Sequence, residues 1–451
     1  LDLDDRQPGR AGGERLMPEL RYTSSRGGAP GVGLTEAIRR GLAPDGGLYV
    51  PAQLPEVDVK AVARSTRLPD IAQSALGGFF RGDRLEPALG DIAQAAFDFP
   101  APTTAVEKCP DPLFVLELFH GPTAAFKDFG ARFLAETLER AQSPSEPPMT
   151  ILVATSGDTG GAVAAAFHRR PWVRIVILYP KGQVSDRQEQ QLTCWGENVR
   201  ALRIGGTFDD CQRLVKEAFV DASLSARHHF SSANSINVGR LLPQMVYYVA
   251  SSLDVERRTG KRASYIIPAG NLGNAFAAMW ARAMGFPIAR IILAHNANRT
   301  VPDFLRDGEW RPRPSIQTLA SAMDVGNPSN MERVRALYPT FASVSEHLSA
   351  ESVDDATIRR RIGEDFMRFG REWCPHTATA AEVYQRLSEG ERRDNPWILV
   401  ATAHPAKFND IVEPIIGKPV DVPPALARLL ALPRRFTDLP PSLGALAEAL
   451  G

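Results

Sequence analysis

A lysine set between two aromatic rings is the first residue whose surroundings point to chemistry. In Leu116-Glu117-Leu118-Phe119-His120-Gly121-Pro122-Thr123 an apolar run gives way to a turn. A helix is expected from near Ala124, which puts Lys127 in its first turn, flanked by Phe126 and Phe129. A cation there opposes the helix macrodipole, whose field lowers the pKa of the amine. That is what a lysine that bonds a carbonyl carbon needs. The plain alternative is a solvated surface lysine.

Three more segments carry polar groups where strands are expected to meet helices. In Thr155-Ser156-Gly157-Asp158-Thr159-Gly160-Gly161, glycines permit a tight turn, and amides and hydroxyls face an anion such as a carboxylate or phosphate. The plain alternative is a helix cap. Gly270-Asn271-Leu272-Gly273-Asn274 is a second candidate cradle of backbone amides. It departs from the GxGxxG dinucleotide fingerprint and lacks a P-loop lysine, which argues against nicotinamide and nucleotide triphosphates. Thr402, ahead of His404-Pro405-Ala406-Lys407, offers a hydroxyl at a strand end, or a merely structural threonine. Such loops at the carboxyl ends of parallel strands are where open sheets collect their ligands.

The elements that must position these segments read as α/β with a largely parallel sheet. Strands are expected at Leu113–Phe119, Thr150–Ala154, Arg174–Leu178, Val199–Ile204, Tyr265–Ile267, Ile291–Ala294 and Trp397–Val400. Helical patterns such as Asp209–Phe219 and Ala275–Met284 lie between most of them. Leu34–Arg40 reads as a short helix and Ala43–Tyr49 as a turn. The expected organisation is a polar leader over 1–16, with Met17 a candidate start, then an N-terminal domain over 17–105. A catalytic core of two α/β subdomains follows over 106–413, with helical insertions at about 300–390, and a closing segment over 414–451. The Pro-rich run Pro414–Pro433 is expected at the surface.

Composition narrows the class. At 451 residues, two or three domains are expected. Lys plus Arg and Asp plus Glu both number 52, a balance that gives no support to nucleic-acid or membrane-surface binding. The four cysteines form no CxxC pair, which argues against a zinc site or disulfide framework and for a reducing cytoplasm. There is no eighteen-residue apolar run, no histidine cluster suited to a metal, and no GxSxG elbow.

The segment 116–134 resembles the cofactor-lysine region of threonine synthases, fold-type II pyridoxal-phosphate enzymes. The resemblance continues through Arg21–Gly27 with Gly41–Pro51, Leu178–Gly182, Gly206–Gln212, Ser232–Asn237 with Arg240, Ala322–Arg333, His376–Ala378 and Thr402–Pro405. In order along nearly the whole chain, these resemble the long form of that family. Leu272 stands where this branch often has Phe, and Pro375 follows Cys374 where Asp-Pro is common in some members.

The resemblance implies a tryptophan-synthase-β-like fold and the conversion of O-phospho-L-homoserine and water to L-threonine and phosphate. It implies that Lys127 carries pyridoxal 5'-phosphate as a Schiff base and then shuttles protons, with Phe126 beside it. Gly270, Asn271, Leu272, Gly273 and Asn274 are expected at the cofactor phosphate and Thr402 at the pyridine nitrogen. Ser156, Gly157 and Thr159 are expected at the substrate carboxylate, with Asp158 at the cofactor's phenolic edge. That last placement sets two anions together and requires donors or protons between them. Lys181, Arg26, Arg240 and Asn234 are candidates for the leaving phosphate, each with an ordinary surface charge or cap as the alternative. The expected molecule is a monomer, with a dimer the second choice. Rival readings are a phospho-lyase giving 2-oxobutyrate and ammonia, another dehydratase of the same fold, and a non-catalytic phosphoamino-acid binder.

Overall fold

The computed structural model describes residues 19–143 and 145–451. The expected leader, and Met17 with it, lie outside the described residues. The sequence patterning resolves into two large open sheets, beside a two-stranded antiparallel pair of Tyr22–Ser24 with Tyr49–Pro51. One is six-stranded, in the order Ser349–Ser352, Ile288–His295, Ala263–Pro268, Trp397–Ala401, Leu113–Glu117, Thr103–Ala105. Every pairing in it is parallel except the last. The other is all parallel, in the order Thr437–Leu439, Val199–Ile204, Val173–Pro180, Met149–Ala154, Phe230–Ser232. Strands such as Met149–Ala154, whose six residues are all buried, read as unbroken apolar runs because helices cover both faces.

The helix Val238–Thr259 is buried along most of its length. The Asn237 side chain caps it by accepting from the Gly239 amide, and Gly260 ends it at φ 69°. It packs against Lys127–Ala141, Gly273–Ala283 and Leu68–Phe80, so a single hydrophobic cluster joins Leu20 and Phe80 to Leu134, Tyr248 and Ile398. Through this helix, the N-terminal residues and both sheets share a core.

Several expectations shift in detail. The helix expected near Ala124 begins at Lys127. Ala124 has φ 55°, and Ala125 instead bridges to Ala403 beside the strand Trp397–Ala401. Between 300 and 390 the helices are interrupted by the edge strand Ser349–Ser352. The Pro-rich run contains the helix Pro424–Leu430, with Val420 and Leu426 buried within an otherwise more open stretch. Among the described residues, no helix is long and apolar enough to cross a membrane, and all four cysteines are free thiols.

Candidate active site

A cleft between the two sheets gathers residues from remote parts of the chain: Phe126 and Lys127, Asp158 and Thr159, Ser235, Arg240, Gly270 to Ala275, Met323, His376 and Thr402. Three helices begin there, at Lys127, Asp158 and Gly273. Their leading amides lack partners within their own helices and give the cleft a positive bias toward an anion.

Lys127 is the first residue of its helix, with Nζ 4.5 Å from the centroid of the Phe126 ring. Burial, and after it the Arg240 guanidinium, lowers its pKa to about 8, against an opposing pull from Asp158. The expectation credits the helix end alone. Desolvation is the larger cause, and the helix end acts in the same direction. Asp128 is buried next to it, its carboxylate accepting from the Thr123 amide at 2.9 Å and the Thr123 hydroxyl at 2.6 Å.

The turn at Gly270 is built by close contact. A Cβ on Gly270 would lie 2.8 Å from Met323 Cα, and one on Gly273 would lie 3.1 Å from Ser235 Cβ. Leu272 takes φ 63°, and its carbonyl accepts the first helical bond from Phe276 at 2.8 Å. Asn271 bridges outward, donating to Ser235 Oγ at 2.8 Å and accepting from the Ser329 amide at 2.6 Å. Asn274 Oδ1 accepts from the hydroxyls of Tyr247 at 2.5 Å and Tyr248 at 2.9 Å. Its Nδ2 has no hydrogen-bond partner among the described residues. The two tyrosines consume the acceptor end of the amide, which leaves the donor end for an anion.

The turn at Asp158 is organised by charge. Thr155 Oγ1 accepts from the amides of Gly157 at 3.0 Å and Gly160 at 2.9 Å, and Gly157 sits at φ 128° with Gln188 packed where a Cβ would go. Asp158 Oδ1 lies 2.8 Å from Lys407 Nζ and accepts from Gln188 Nε2 at 3.0 Å. Burial alone would raise this carboxyl, but Lys407, then His376 and Gln188, hold it down at about 2. Lys407 thus sets a buried cation and donor against this carboxylate. His376 is buried, with burial lowering its pKa to about 4; its Nε2 accepts from the Ala322 amide at 3.1 Å.

Of the four cations and amides expected at a leaving phosphate, Arg240 is buried and lines the cleft. It donates to the Ala233 carbonyl, and its Nε has no partner among the described residues. Asn234 donates to the Ala154 carbonyl at 3.1 Å, at the end of the strand that leads to Ser156. Arg26 and Lys181 are not brought into the cleft. Arg26 lies against Glu332 at 2.7 Å, and Lys181 is exposed with Asp438 at 3.9 Å. Lys407, Gln188, His376 and the tyrosine pair are absent from the expected set. Two of these carried a signal: Lys407, as a charge just beyond an apolar strand, and His376, within the segment His376–Ala378 that carries the resemblance.

A wider, more open groove lies elsewhere, between Thr66–Ile71 and Phe97–Thr103. Its charged side chains pair with neighbours, Arg67 with Asp70, Asp98 with Arg132, and Asp254 with Arg257 and Arg258. The narrower cleft holds the convergent, unpaired donors.

Comparison with known proteins bears on this geometry. Residues 100–402 match the family model for pyridoxal-phosphate dependent enzymes, residues 21–97 that for the threonine synthase N terminus, and residues 377–450 that for the threonine synthase C-terminal region. The threonine synthase of Serratia marcescens is 41% identical over 93% of this chain and 96% of its own length. That of Escherichia coli is 39% identical over the same shares.

The chain belongs to the threonine synthase family.

The fold agrees across that family. The crystal structure of threonine synthase from Escherichia coli superposes with a TM-score of 0.88 at 37% identity, covering 95% of this chain and 99% of that one. A pyridoxal-phosphate-bound threonine synthase from Brucella melitensis gives 0.87 at 33%, covering 96% and 99%. The α/β fold is that of fold-type II pyridoxal-phosphate enzymes, and the cofactor is pyridoxal phosphate. The residues present fit it: a lysine of lowered pKa, a glycine turn closed by Met323, and an Asn274 amide with a free donor end.

Proposed function

We infer that this chain converts O-phospho-L-homoserine and water to L-threonine and phosphate. The observation that carries this reading is the match to threonine synthases over 93% of the chain, with Lys127 facing the amide-lined turn at Gly270. When bound, pyridoxal phosphate supplies an electron sink for the charge left on substrate carbon atoms as protons and phosphate depart.

The chain's own residues divide the remaining work. Lys127 would hold the cofactor through its aldehyde carbon and, once displaced, carry protons between substrate carbons. An amine with a pKa of about 8 releases its proton near neutral pH more readily than a solvated lysine. The amides of Gly270 to Asn274 and the Asn274 side chain would receive the cofactor phosphate, with Thr402 at the ring nitrogen and Phe126 alongside. Ser156, Gly157 and Thr159 would receive the substrate carboxylate, and Asp158 would stand at the cofactor's phenolic edge. Arg240 and Asn234 would draw the leaving phosphate. Arg26 and Lys181 would reach it only by leaving Glu332 and Asp438, so we give them no part.

The division into an N-terminal domain over 17–105, a core over 106–413 and a closing segment over 414–451 is likewise our proposal, supported by the separate family-model matches. So are a monomeric enzyme, because one chain supplies all the residues that line the cleft, and a cytoplasmic location, in keeping with four free thiols. Equilibrium sedimentation tests the first and fractionation of the source cell the second.

Product analysis tests the reaction. Protein reconstituted with cofactor is expected to release threonine and phosphate one for one from O-phospho-L-homoserine, and Lys127→Ala to abolish both along with the absorbance of covalently held cofactor. Phosphate accompanied by 2-oxobutyrate would make the enzyme a phospho-lyase instead.

A further inference from the structure

We propose that Lys407 is a positioning residue of the reaction, a buried counter-cation that keeps Asp158 a carboxylate facing the cofactor and ties the two lobes together beside Lys127. The proposal rests on the cofactor placement given above and adds a residue that does not line the cleft.

The side chain of Lys407 is 1% exposed and that of Asp158 4%, and their charged atoms lie 2.8 Å apart. Neither ion could stay charged alone at such depth, so each depends on the other. The Lys407 ammonium also donates at 2.9 Å to the carbonyl of Thr123, in the turn that leads into the Lys127 helix. Gln191 Nε2 donates to the same carbonyl, also at 2.9 Å. Ser185 Oγ donates back to the Lys407 carbonyl at 2.9 Å. One ammonium therefore joins the loop after Trp397–Ala401, in the six-stranded lobe, to the helix following Met149–Ala154, in the five-stranded lobe.

The charges around this pair come from several elements. His376, Lys127 and the Cys374 thiol face Asp158, with the neutral Gln188 amide; Asp128, His376, His404 and Lys127 face Lys407. His376 and Lys127 both have lowered pKa values. Lys407 is one cause of that lowering, but burial is the largest for each, so without Lys407 they remain weak counter-ions and a buried carboxyl then takes up a proton. A protonated Asp158 presents a donor where a carboxylate only accepts, and its pull on Lys127 disappears.

The test compares Lys407→Met, Lys407→Arg and the double variant Asp158→Asn/Lys407→Met. Two readouts are followed across pH: phosphate release by holoenzyme, and thermal unfolding of protein without cofactor. For Lys407→Met, kcat/KM is expected to gain an acid limb that the native enzyme lacks. It falls about tenfold for each pH unit below the new carboxyl pKa. Lys407→Arg keeps the charge and is expected to keep the native pH profile.

In cofactor-free Lys407→Met, Asp158 has a folded pKa above its unfolded one. Its contribution is full below about pH 4, where unfolded aspartate is protonated, and is lost as pH rises through the folded value. The unfolding midpoint, relative to native, should therefore fall as pH rises from 4 to 8, whereas the double variant should show no such trend. If Lys407→Met fails to fold, the double variant decides: folding restored supports the charge argument, and folding still lost overturns it. Met and Arg variants equally impaired, both with the native pH profile, would also overturn it. A native enzyme that makes no threonine, with the cofactor-free trends as stated, would sink the functional reading and leave the role of Lys407 intact.

Discussion

Two turns face each other across the cleft, and they solve opposite problems. The turn at Gly270–Asn274 contains no charged side chain and is shaped by contact, with Gly270 against the backbone of Met323 and Asn274 clasped by two tyrosines. The turn at Ser156–Thr159 places a carboxylate at a helix start and neutralises it with a lysine from 249 residues further along. Both helix ends favour an anion. At the first turn the anion is left for the ligand to bring, and the cradle supplies only neutral donors. At the second the protein supplies its own, and so must also supply a cation. The first depends on shape and the second on charge balance, so they should fail in different ways.

The largest effect is expected from breaking the charged turn. Asp158→Ala leaves Lys407 buried without its partner, a loss of about 3–5 kcal/mol of folding stability at neutral pH. Denaturant unfolding of cofactor-free protein measures it. The native carboxyl is depressed to about 2, below its unfolded value of about 3.9. Its stabilising contribution is therefore full above about pH 4 and fades as pH falls toward 2. The gap between native and variant should narrow as pH falls below 4. A gap that widens below pH 4 would contradict the assignment.

Breaking the neutral turn should spare the fold more and the ligand less. Gly270→Val sets a branched side chain where a lone Cβ already lies 2.8 Å from Met323 Cα. Cofactor affinity is expected to fall by at least about 100-fold, or roughly 3 kcal/mol. The cofactor-free protein should lose only about 1–3 kcal/mol, as overpacking typically costs. Titration of bound-cofactor absorbance, paired with unfolding curves, separates the two. Equal losses in both variants would erase the contrast between the turns. The smallest effect sharpens the boundary of the site. Lys181→Ala removes an exposed cation 3.9 Å from Asp438 in the closing segment, and kcat/KM should stay within about twofold of native. A tenfold drop would return Lys181 to the phosphate pocket.

How far the sequence carries depends on the reach of each signal. The strand Met149–Ala154 and the helix Gly273–Ala283 are legible because periodicity and flanking glycines lie within a dozen residues. Ser349–Ser352 is not, since its four residues are polar or small and pair only at the sheet edge. Thr103–Ala105, Phe230–Ser232 and Thr437–Leu439 escape for the same reason, at three residues each. In the cleft, the place of Lys127 at a helix start marks it as a candidate, and only the family resemblance gives it a role. The role of Lys407 is not, because a charge reveals its purpose only with its partner, and Asp158 lies far away in the chain. For Arg26 and Lys181 the converse holds: their charge is legible, while the carboxylates of Glu332 and Asp438 that hold them are not.

The strand Thr437–Leu439 closes one edge of the five-stranded sheet by pairing with Leu202–Ile204, and Arg203 meets Asp438 across a separation of 235 residues. During synthesis, Val199–Ile204 leaves the ribosome long before its neighbour exists. At roughly 5–20 residues per second, that edge waits on the order of ten seconds or more with its backbone groups unpaired. The interval is an aggregation window imposed by strand order, and the yield of the whole chain should respond to chaperone supply and growth temperature.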